Sequence, residues 1–407
     1  MKRILFVDDE SEILDGLRRI LHADRKHWDM QFAVGGEAAL RACEAGSFDV
    51  VISDLRMPGM DGATLLGRVR DRFPSTARIV LSGYSEVALA TRTVPVAHRF
   101  LTKPCNASEI KSMIERVCTL QDLLGAPEVR RAVGTIGELP SLSRTYTSLT
   151  QAVNDPTTSI TQVADIIGQD VAMSAKVLQL VNSAFFRLAQ RVSNVQNAVA
   201  YLGTETIKNL ALASEAFRVF LPDGRIPQGV CESIQLHAQR TAAIAGILPV
   251  DPKTRDVTVA AALLHDIGSL VLASGMPDTF CSALSRARER KCETFEAEEE
   301  LLGTSHAEIG AYLLGLWGVP NEAVEAMAHH HRPTRIPHSG FDCSTAVYVA
   351  DLLAHELDAH PKDSTGSELR GSDRGCLETL GILHRFAEFH ELAVQVCNLK
   401  TAFLLTK

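Results

Sequence analysis

The nine cysteines of this 407-residue sequence are scattered from Cys43 to Cys397, with no CxxC pair and no spacing of a zinc ribbon or disulfide framework. They read as reduced, mostly buried thiols. The N-terminus lacks the apolar run of a signal peptide or membrane span, because its short stretch Ile4 to Val7 is broken at once by Asp8, Asp9 and Glu10. The expectation is a cytoplasmic protein with no membrane partner. A surplus of positive charge is missing too: a formal net charge of −8 withholds the broad attraction that non-specific DNA binding needs. Direct contact with nucleic acid is not expected, and no internal repeat of fixed period is present. What the chain does have, 46% hydrophobic and 22% charged residues, suffices for large cores and, at this length, for two or three domains.

From Lys2 to about Leu120, short β-branched runs alternate with helical stretches, the pattern of a parallel sheet with helices on both faces. The expected strands are Arg3 to Val7, Met30 to Val34, Val50 to Ser53, Arg78 to Leu81 and Arg99 to Leu101. The first helix runs from about Ser11 to His22, with Ile13, Leu14, Leu17, Ile20 and Leu21 at helical spacing. After a helix near Ala107 to Leu124, the segment Gly125 to Pro140 is punctuated by glycine and proline and reads as a junction. Beyond it amphipathic helical stretches and short caps continue to Val396, with Asp170 placed to cap one helix and a polar loop at about Pro361 to Gly375.

In an open parallel sheet, ligand chemistry gathers at the carboxyl ends of the strands, beside the point where strand order reverses. Asp8 and Asp9 end the first strand and Asp54 ends the third. Three carboxylates in a small volume repel one another unless a cation balances them. A hard ion such as Mg²⁺, which takes oxygen ligands, suits the place, and beside it a carboxylate can attack a phosphoryl group. Lys103 follows the fifth strand, within reach of phosphoryl oxygens, and Ser82 at the end of the fourth offers a hydroxyl. Pro104 permits a cis peptide that would fix how Lys103 enters. The blander reading is that these aspartates merely cap helices.

The runs Phe6-Val7-Asp8-Asp9-Glu10, Ser53-Asp54-Leu55-Arg56-Met57-Pro58-Gly59-Met60-Asp61-Gly62, Leu81-Ser82-Gly83 and Phe100-Leu101-Thr102-Lys103-Pro104 resemble the receiver domain of two-component response regulators. The resemblance implies a flavodoxin-like α/β domain, a five-stranded parallel sheet in the order 2-1-3-4-5. It implies Asp54 as phosphoacceptor, phosphorylated by a histidine kinase, with Mg²⁺ on Asp8, Asp9, Asp54 and the Arg56 carbonyl. Ser82 and Lys103 would hold the phosphoryl group and Phe100 would turn inward on activation, although an aromatic on a strand also reads as core. Receivers of this kind often pair through the face of their last two helices, so a homodimer is a further implication.

The second region carries His237, His265 with Asp266, His306, His330 with His331, and Asp351. Imidazoles and carboxylates from separate helices of a bundle can hold one or two ions of Mn, Fe or Zn, which polarise phosphoryl oxygens and generate hydroxide near neutral pH. A lone histidine such as His237 or His306 also has a plain structural reading, and His329 reads as a solvated neighbour. The runs Ile167-Gly168-Gln169-Asp170, Leu180-Val181-Asn182-Ser183-Ala184-Phe185-Phe186, Tyr201-Leu202-Gly203 and Ala262-Leu263-Leu264-His265-Asp266-Ile267-Gly268 resemble the HD superfamily and more closely its HDOD branch. So do Gly303-Thr304-Ser305-His306-Ala307-Glu308-Ile309-Gly310, Leu316-Trp317-Gly318-Val319-Pro320 and His330-His331-Arg332-Pro333.

That resemblance implies an all-α output domain serving as a signalling or protein-interaction module toward a partner protein of unknown identity. Its boundaries are expected as 1–122 for the receiver, 123–137 for a linker, 138–340 for the HDOD domain and 341–407 for helices that continue it. The rival reading is a metal-dependent phosphodiesterase acting on a cyclic dinucleotide or related phosphoester, and a third is a nucleotide-binding effector without turnover. Against the rival, the Asp-Gly-x-Gly-Tyr-Pro stretch of HD-GYP phosphodiesterases is absent, since His331 leads into Arg332-Pro333-Thr334-Arg335-Ile336-Pro337. Arg332 is expected to compete with a bound dication. Coupling between the two regions is expected to cross residues 120–140.

Overall fold

The computed structural model describes residues 1–82, 93, 96–103, 105–124, 126–135, 143–155, 157–182, 191–212, 225–227, 229–359 and 369–404. Gly83, Pro104, residues 136–140 of the junction, Ser183 to Phe186 and residues 361–368 of the polar loop lie outside the described residues, as does the side chain of Ser82.

Strands β1 (Lys2–Asp8), β2 (Trp28–Val34), β3 (Val50–Asp54), β4 (Ala77–Ser82) and β5 (Arg99–Thr102) form one parallel sheet in the order β2-β1-β3-β4-β5. Helices α1 (Ser11–Ile20), α2 (Gly36–Ala45), α3 (Gly62–Arg72) and α4 (Ala107–Leu123) flank it. The central strands are covered on both faces, which is why Ile4 to Val7 and Val50 to Ile52 read as unbroken apolar runs rather than alternating ones. Pairing of β1 with β3 runs up to Val7 opposite Ser53, so the next residue of each strand, Asp8 and Asp54, emerges at the same sheet edge. Strand order thus determines which acids become neighbours.

The rest of the chain is helical: α5 (Pro127–Thr135), α6 (Ser143–Asn154), α7 (Ile160–Gly168), α8 (Val171–Val181), α9 (Val195–Leu212), α10 (Val230–Ala245), α11 (Arg255–Leu264) and α12 (Ile267–Gly275). There follow α13 (Pro277–Arg290), α14 (Thr294–Leu302), α15 (His306–Leu316), α16 (Asn321–Ala328), α17 (Cys343–Ala359), α18 (Gly371–Thr379) and α19 (Phe386–Leu404). Asp170 caps α8, its carboxylate accepting from the Met173 amide at 3.0 Å. Helices α10, α11, α16 and α17 pack on one another, and α12 crosses α15. That crossing needs glycine: a Cβ on Gly268 would stand 1.9 Å from the His306 carbonyl oxygen, and one on Gly310 would stand 3.1 Å from the Gly268 nitrogen. The two glycines let backbones touch, and so bring Asp266 at the start of α12 to His306 at the start of α15.

The stretch Arg255–Gly275 is long and apolar enough by composition to cross a membrane, but 78% of its apolar 18-residue window is buried within the helical core. The expectation for cysteine needs correction in part. Of the eight described cysteines, none in a disulfide, Cys43, Cys118, Cys231 and Cys343 are buried while Cys105, Cys281, Cys292 and Cys376 are only half-buried.

The junction is not simply irregular chain. Its residues 127–135 form α5, held by the buried Arg78 of β4, whose guanidinium donates to the Gly134 carbonyl at 2.9 Å. Nor is the junction the sole route between the two regions. The buried Arg99 of β5 donates to the carbonyls of Gly315 and Leu316, both at 3.1 Å, at the C-terminal end of α15. Arg116 of α4 donates to the Val319 carbonyl at 3.0 Å, and Arg191 to that of Gly318. Leu120 of α4 packs so closely on Gly315 that a Cβ there would meet it at 2.7 Å. Cations at the negative end of a helix dipole, bonded to its last carbonyls, make a firm contact. This contact occupies the α4 face within the chain itself.

Candidate functional site

At the sheet edge, Asp8 is buried and Asp54 nearly so, at 1% and 8% exposure, and the half-buried Asp9 stands beside them. Lys103, just past β5, reaches between the first two: its Nζ donates to Asp8 Oδ2 at 2.6 Å and to Asp54 Oδ1. The remaining oxygens take backbone amides, Asp8 Oδ1 from Glu10 at 3.0 Å and Asp54 Oδ2 from Arg56 at 2.7 Å. Burial pushes the Asp54 carboxyl above the ordinary aspartate range, against the pull of Lys103. Burial alone would lower the Lys103 ammonium, but its bonds to Asp54 and Asp8 outweigh that and hold it above the usual lysine range. Such a pocket concentrates oxygen donors around a cation and suits a hard divalent ion. Phe100 is half-buried on β5. Ser82 ends β4 at the same edge.

The second constellation lies in the helical region, where the six histidine and aspartate positions singled out from α10 to His331, together with Asp351 of α17, come together. Their ligand atoms form three overlapping triads, each within 4.8 Å: His237, His265 and Asp351; His265, Asp266 and His330; His306, His330 and His331. His265 and His330 each follow the last turn of a helix and donate from Nδ1 to the carbonyl three residues back, Ala262 and Met327, both at 2.7 Å. A neutral imidazole that donates from Nδ1 carries a lone pair on Nε2. Both Nε2 atoms are buried and take no hydrogen bond. His265 Nε2 instead faces Asp351 Oδ1 at 3.4 Å and Asp266 Oδ2 at 3.5 Å, and His330 Nε2 faces Asp266 Oδ1 at 3.7 Å.

Lone pair facing lone pair is unfavourable in a buried site unless a proton or a cation lies between. The same conflict recurs at His306. Its Nδ1 is bonded to the fully buried Glu298 at 2.7 Å, and its Nε2 lies 2.8 Å from His331 Nε2 and 3.1 Å from Asp266 Oδ1. Burial would lower His306, but Glu298 and Asp266 outweigh it and hold the ring well above the ordinary histidine range, which favours a proton there. Burial lowers His330 to about 3 and His331 in the same direction, with neighbouring histidines adding to it. That direction favours the neutral ring, the form that ligates metal. Burial lowers His265 too, but Asp266 and Asp351 outweigh it and hold that ring above the ordinary histidine range. Two buried Nε2 atoms without a hydrogen-bond partner, with carboxylates opposite, form a donor set that fits one or two divalent transition ions.

Several participants had no signal in the sequence. Glu298 orients His306, and Asp358 orients His237 by a 2.9 Å contact to its Nδ1 while His237 Nε2 meets Asp351 at 2.8 Å. Carboxylates behind ligating histidines in this way fix the tautomer. His355, whose Nε2 lies 3.4 Å from Asp351 Oδ1, was readable as an i, i+4 partner of Asp351. Two expectations are corrected. Arg332 does not compete for the cluster's charge: its guanidinium grips Glu299 at 2.5 and 2.9 Å and stacks on Phe295. His329 is half-buried rather than solvated, because it ends α16 against the fold. Beside the cluster opens a cavity of about 620 Å³ whose lining includes His331, Asp351, His355, Tyr348 and Asp373.

Comparisons with known proteins divide the chain at the same place as the geometry. The family model of the response regulator receiver domain matches residues 4–115, and that of the HDOD domain matches residues 139–333. An uncharacterized protein of Treponema pallidum (strain Nichols) is 26% identical over 230 residues, 55% of this chain and 43% of its own length. The uncharacterized transcriptional regulatory protein YesN of Bacillus subtilis (strain 168) is 37% identical over 120 residues, 29% of this chain and 32% of its own length. The chain therefore spans less than half the length of these relatives. Among solved structures, the MmoQ response regulator of Methylococcus capsulatus str. Bath is 22% identical, covering 61% of this chain and 98% of its own, with a TM-score of 0.45. With a receiver domain and an HDOD domain in sequence on one chain, the protein belongs to the response regulators whose receiver is followed by an HDOD domain.

Proposed function

We propose that this response regulator is phosphorylated on Asp54 and signals through its HDOD domain, without catalysis being required of that domain. The receiver implies a histidine kinase as phosphodonor, and receiver domains generally bind Mg²⁺. The observation that carries the reading is the convergence of Asp8, Asp54 and Lys103 at one sheet edge. Asp8, Asp9, Asp54 and the Arg56 carbonyl would hold the ion, which when bound offsets the charge of the incoming phosphoryl group. Asp54 supplies the attacking oxygen as the donor's phosphorus–nitrogen bond breaks. Lys103, which bridges Asp54 and Asp8, is free to follow the new phosphoryl oxygens, with Ser82 beside it. Phe100 lies on β5, which leads directly into Lys103, and would follow. Acetyl phosphate and Mg²⁺ should add one phosphoryl group to the wild-type chain by intact mass and none to Asp54→Asn; equal labelling of both would refute the assignment.

The output follows from connectivity. Strand β5 leads into Lys103 at its carboxyl end and begins at Arg99, which grips the C-terminal carbonyls of α15. Helix α15 is 11 residues long and its first residue is His306. This helix, a rod of about 16 Å, thus joins Arg99 at the amino end of β5 to the histidine cluster, and β5 carries the link on to the phosphorylation edge. A modification shifts an equilibrium only through contacts that differ between states, and this is the contact set available to do so.

A second reading is favoured by the unpartnered Nε2 atoms of His265 and His330. The helical domain would hold a divalent transition ion through His237, His265, Asp266, His306, His330, His331 and Asp351, and would hydrolyse a phosphoester. When bound, such an ion polarises a phosphoryl oxygen and acidifies water. Metal analysis followed by turnover assays with Mn²⁺ or Fe²⁺ separates the readings: metal lost in His265→Ala together with product formation establishes hydrolysis, and metal without turnover leaves a signalling module.

A further inference from the structure

We propose that His355 is a fourth ligand of the ion held by His237, His265 and Asp351, an inference that rests on reading the histidine cluster as a metal centre. No motif includes His355, and Asp351 and His355 both lie beyond residue 333, where the HDOD match ends. The completing ligands therefore come from α17, outside the family's matched region.

Three imidazole nitrogens from three places in the fold converge on a single oxygen, Asp351 Oδ1: His237 Nε2 at 2.8 Å, His265 Nε2 at 3.4 Å and His355 Nε2 at 3.4 Å. A carboxylate oxygen has too few lone-pair directions to accept from three rings at once. His237, His265 and Asp351 already bring their ligand atoms within 4.8 Å of one another, and His355 Nε2 lies 3.4 Å from the carboxylate oxygen of that triad. The His355 ring centroid stands 4.1 Å from that of His237, and the i, i+4 spacing of Asp351 and His355 lays both on one helix face, as when two helical residues chelate one ion. The other ligands are buried, whereas the His355 side chain is 60% exposed at the cavity wall. It closes the site from the solvent side.

This assignment makes the two ends of the cluster unequal. One end receives His237, His265, His355 and Asp351, while the other receives His306, His330 and His331. Asp266 turns Oδ2 toward His265 and Oδ1 toward His306 and His330, one oxygen to each end. With Asp266 shared, the first end has five candidate protein ligands and the second four, so the second has the more room for an exchangeable position. The exchangeable position then falls beside His331, which also lines the cavity.

Full-length protein stripped with chelator and titrated with Co²⁺, followed by metal analysis and visible absorption, tests the assignment. The expected result is two ions of unequal affinity in wild type. His355→Ala should weaken one of them at least tenfold, roughly the lower bound for outer-shell changes, and change its Co²⁺ spectrum. The other ion should keep its wild-type affinity, and added imidazole should restore the weakened one. Because the side chain is exposed, unchanged thermal unfolding of the stripped variant would exclude misfolding. Two ions with wild-type affinities and spectra in His355→Ala would overturn the role of His355 alone. Wild type that binds no metal would overturn the metal centre and this inference together.

Discussion

The receiver pocket and the histidine cluster face the same electrostatic problem, buried carboxylates crowded together, and resolve it in opposite ways. At the sheet edge the protein supplies its own cation, Lys103, tethered at the end of β5 and shared by Asp8 and Asp54. In the helical domain Asp266 and Asp351 face imidazoles whose outer nitrogens are committed to backbone carbonyls or to carboxylates behind them. A lysine on a flexible stem can change partners when a phosphoryl group arrives, which suits a switch. Rings locked by their other nitrogen cannot move aside and await an ion from outside, which suits a resident metal.

Removing the internal cation should give the largest effect. Lys103→Met leaves Asp8 and Asp54 buried without a counter-charge, and should cost about 3 kcal/mol in denaturant unfolding of the receiver, the lower end for breaking a buried pair. Mg²⁺ should restore part of that loss in the variant. A variant as stable as wild type without Mg²⁺ would mean that both pockets rely on outside ions and would dissolve the contrast.

Removing the rear carboxylate from the histidine cluster comes next. Glu298→Gln keeps the shape but loses the charge that orients His306, and should weaken metal binding by roughly 10 to 100-fold. In wild type, affinity should strengthen as pH rises: His306 is held above the ordinary histidine range, and its proton must leave before an ion enters. Titration calorimetry at several pH values reads both effects, and a flat profile would place the proton elsewhere.

The link between the two pockets is sharpened by Arg99→Gln. Shortening this buried side chain should leave the Gly315 and Leu316 carbonyls underbonded, at a cost of about 2 kcal/mol. Asp54 labelling should survive while its effect on the helical domain is lost, as judged by hydrogen exchange in α15. The smallest effect concerns the helix that carries Asp351. Asp342 caps it by accepting from the Thr345 amide at 2.9 Å, so Asp342→Ala should cost about 1 kcal/mol. Burial opposes the charge on Asp342, yet the bonds from Thr345 and His338 hold its carboxyl below the usual range. Its contribution is present above the unfolded aspartate range and lost as pH falls through the folded one. Acid unfolding of wild type and variant should therefore converge at low pH.

How far the residues alone disclosed this arrangement depends on the range of the interaction. The five strands and the acids at their ends follow from local apolar runs and a short-range motif, their order follows from the resemblance to receiver domains, and the sheet carries them as read. Most of the histidine and aspartate set was visible because its members sit at helix ends in short characteristic runs, whereas His237 and Asp351 lie mid-helix in α10 and α17. Glu298, Asp358 and Glu299 gave no warning, since a glutamate on an amphipathic helix looks solvated until its neighbours are known. Arg332 misled for the same reason: its charge is quenched by Glu299, 33 residues away in sequence. The contact of Arg99 with α15 spans more than 200 residues and has no local signature at all.

The most direct test compares the metal affinity of the helical domain in full-length wild type and in Asp54→Asn, each with and without acetyl phosphate and Mg²⁺. The account predicts an affinity that changes on phosphorylation in wild type and stays constant in the variant. Identical affinities in all four conditions, with Asp54 shown by mass to be phosphorylated, would contradict it.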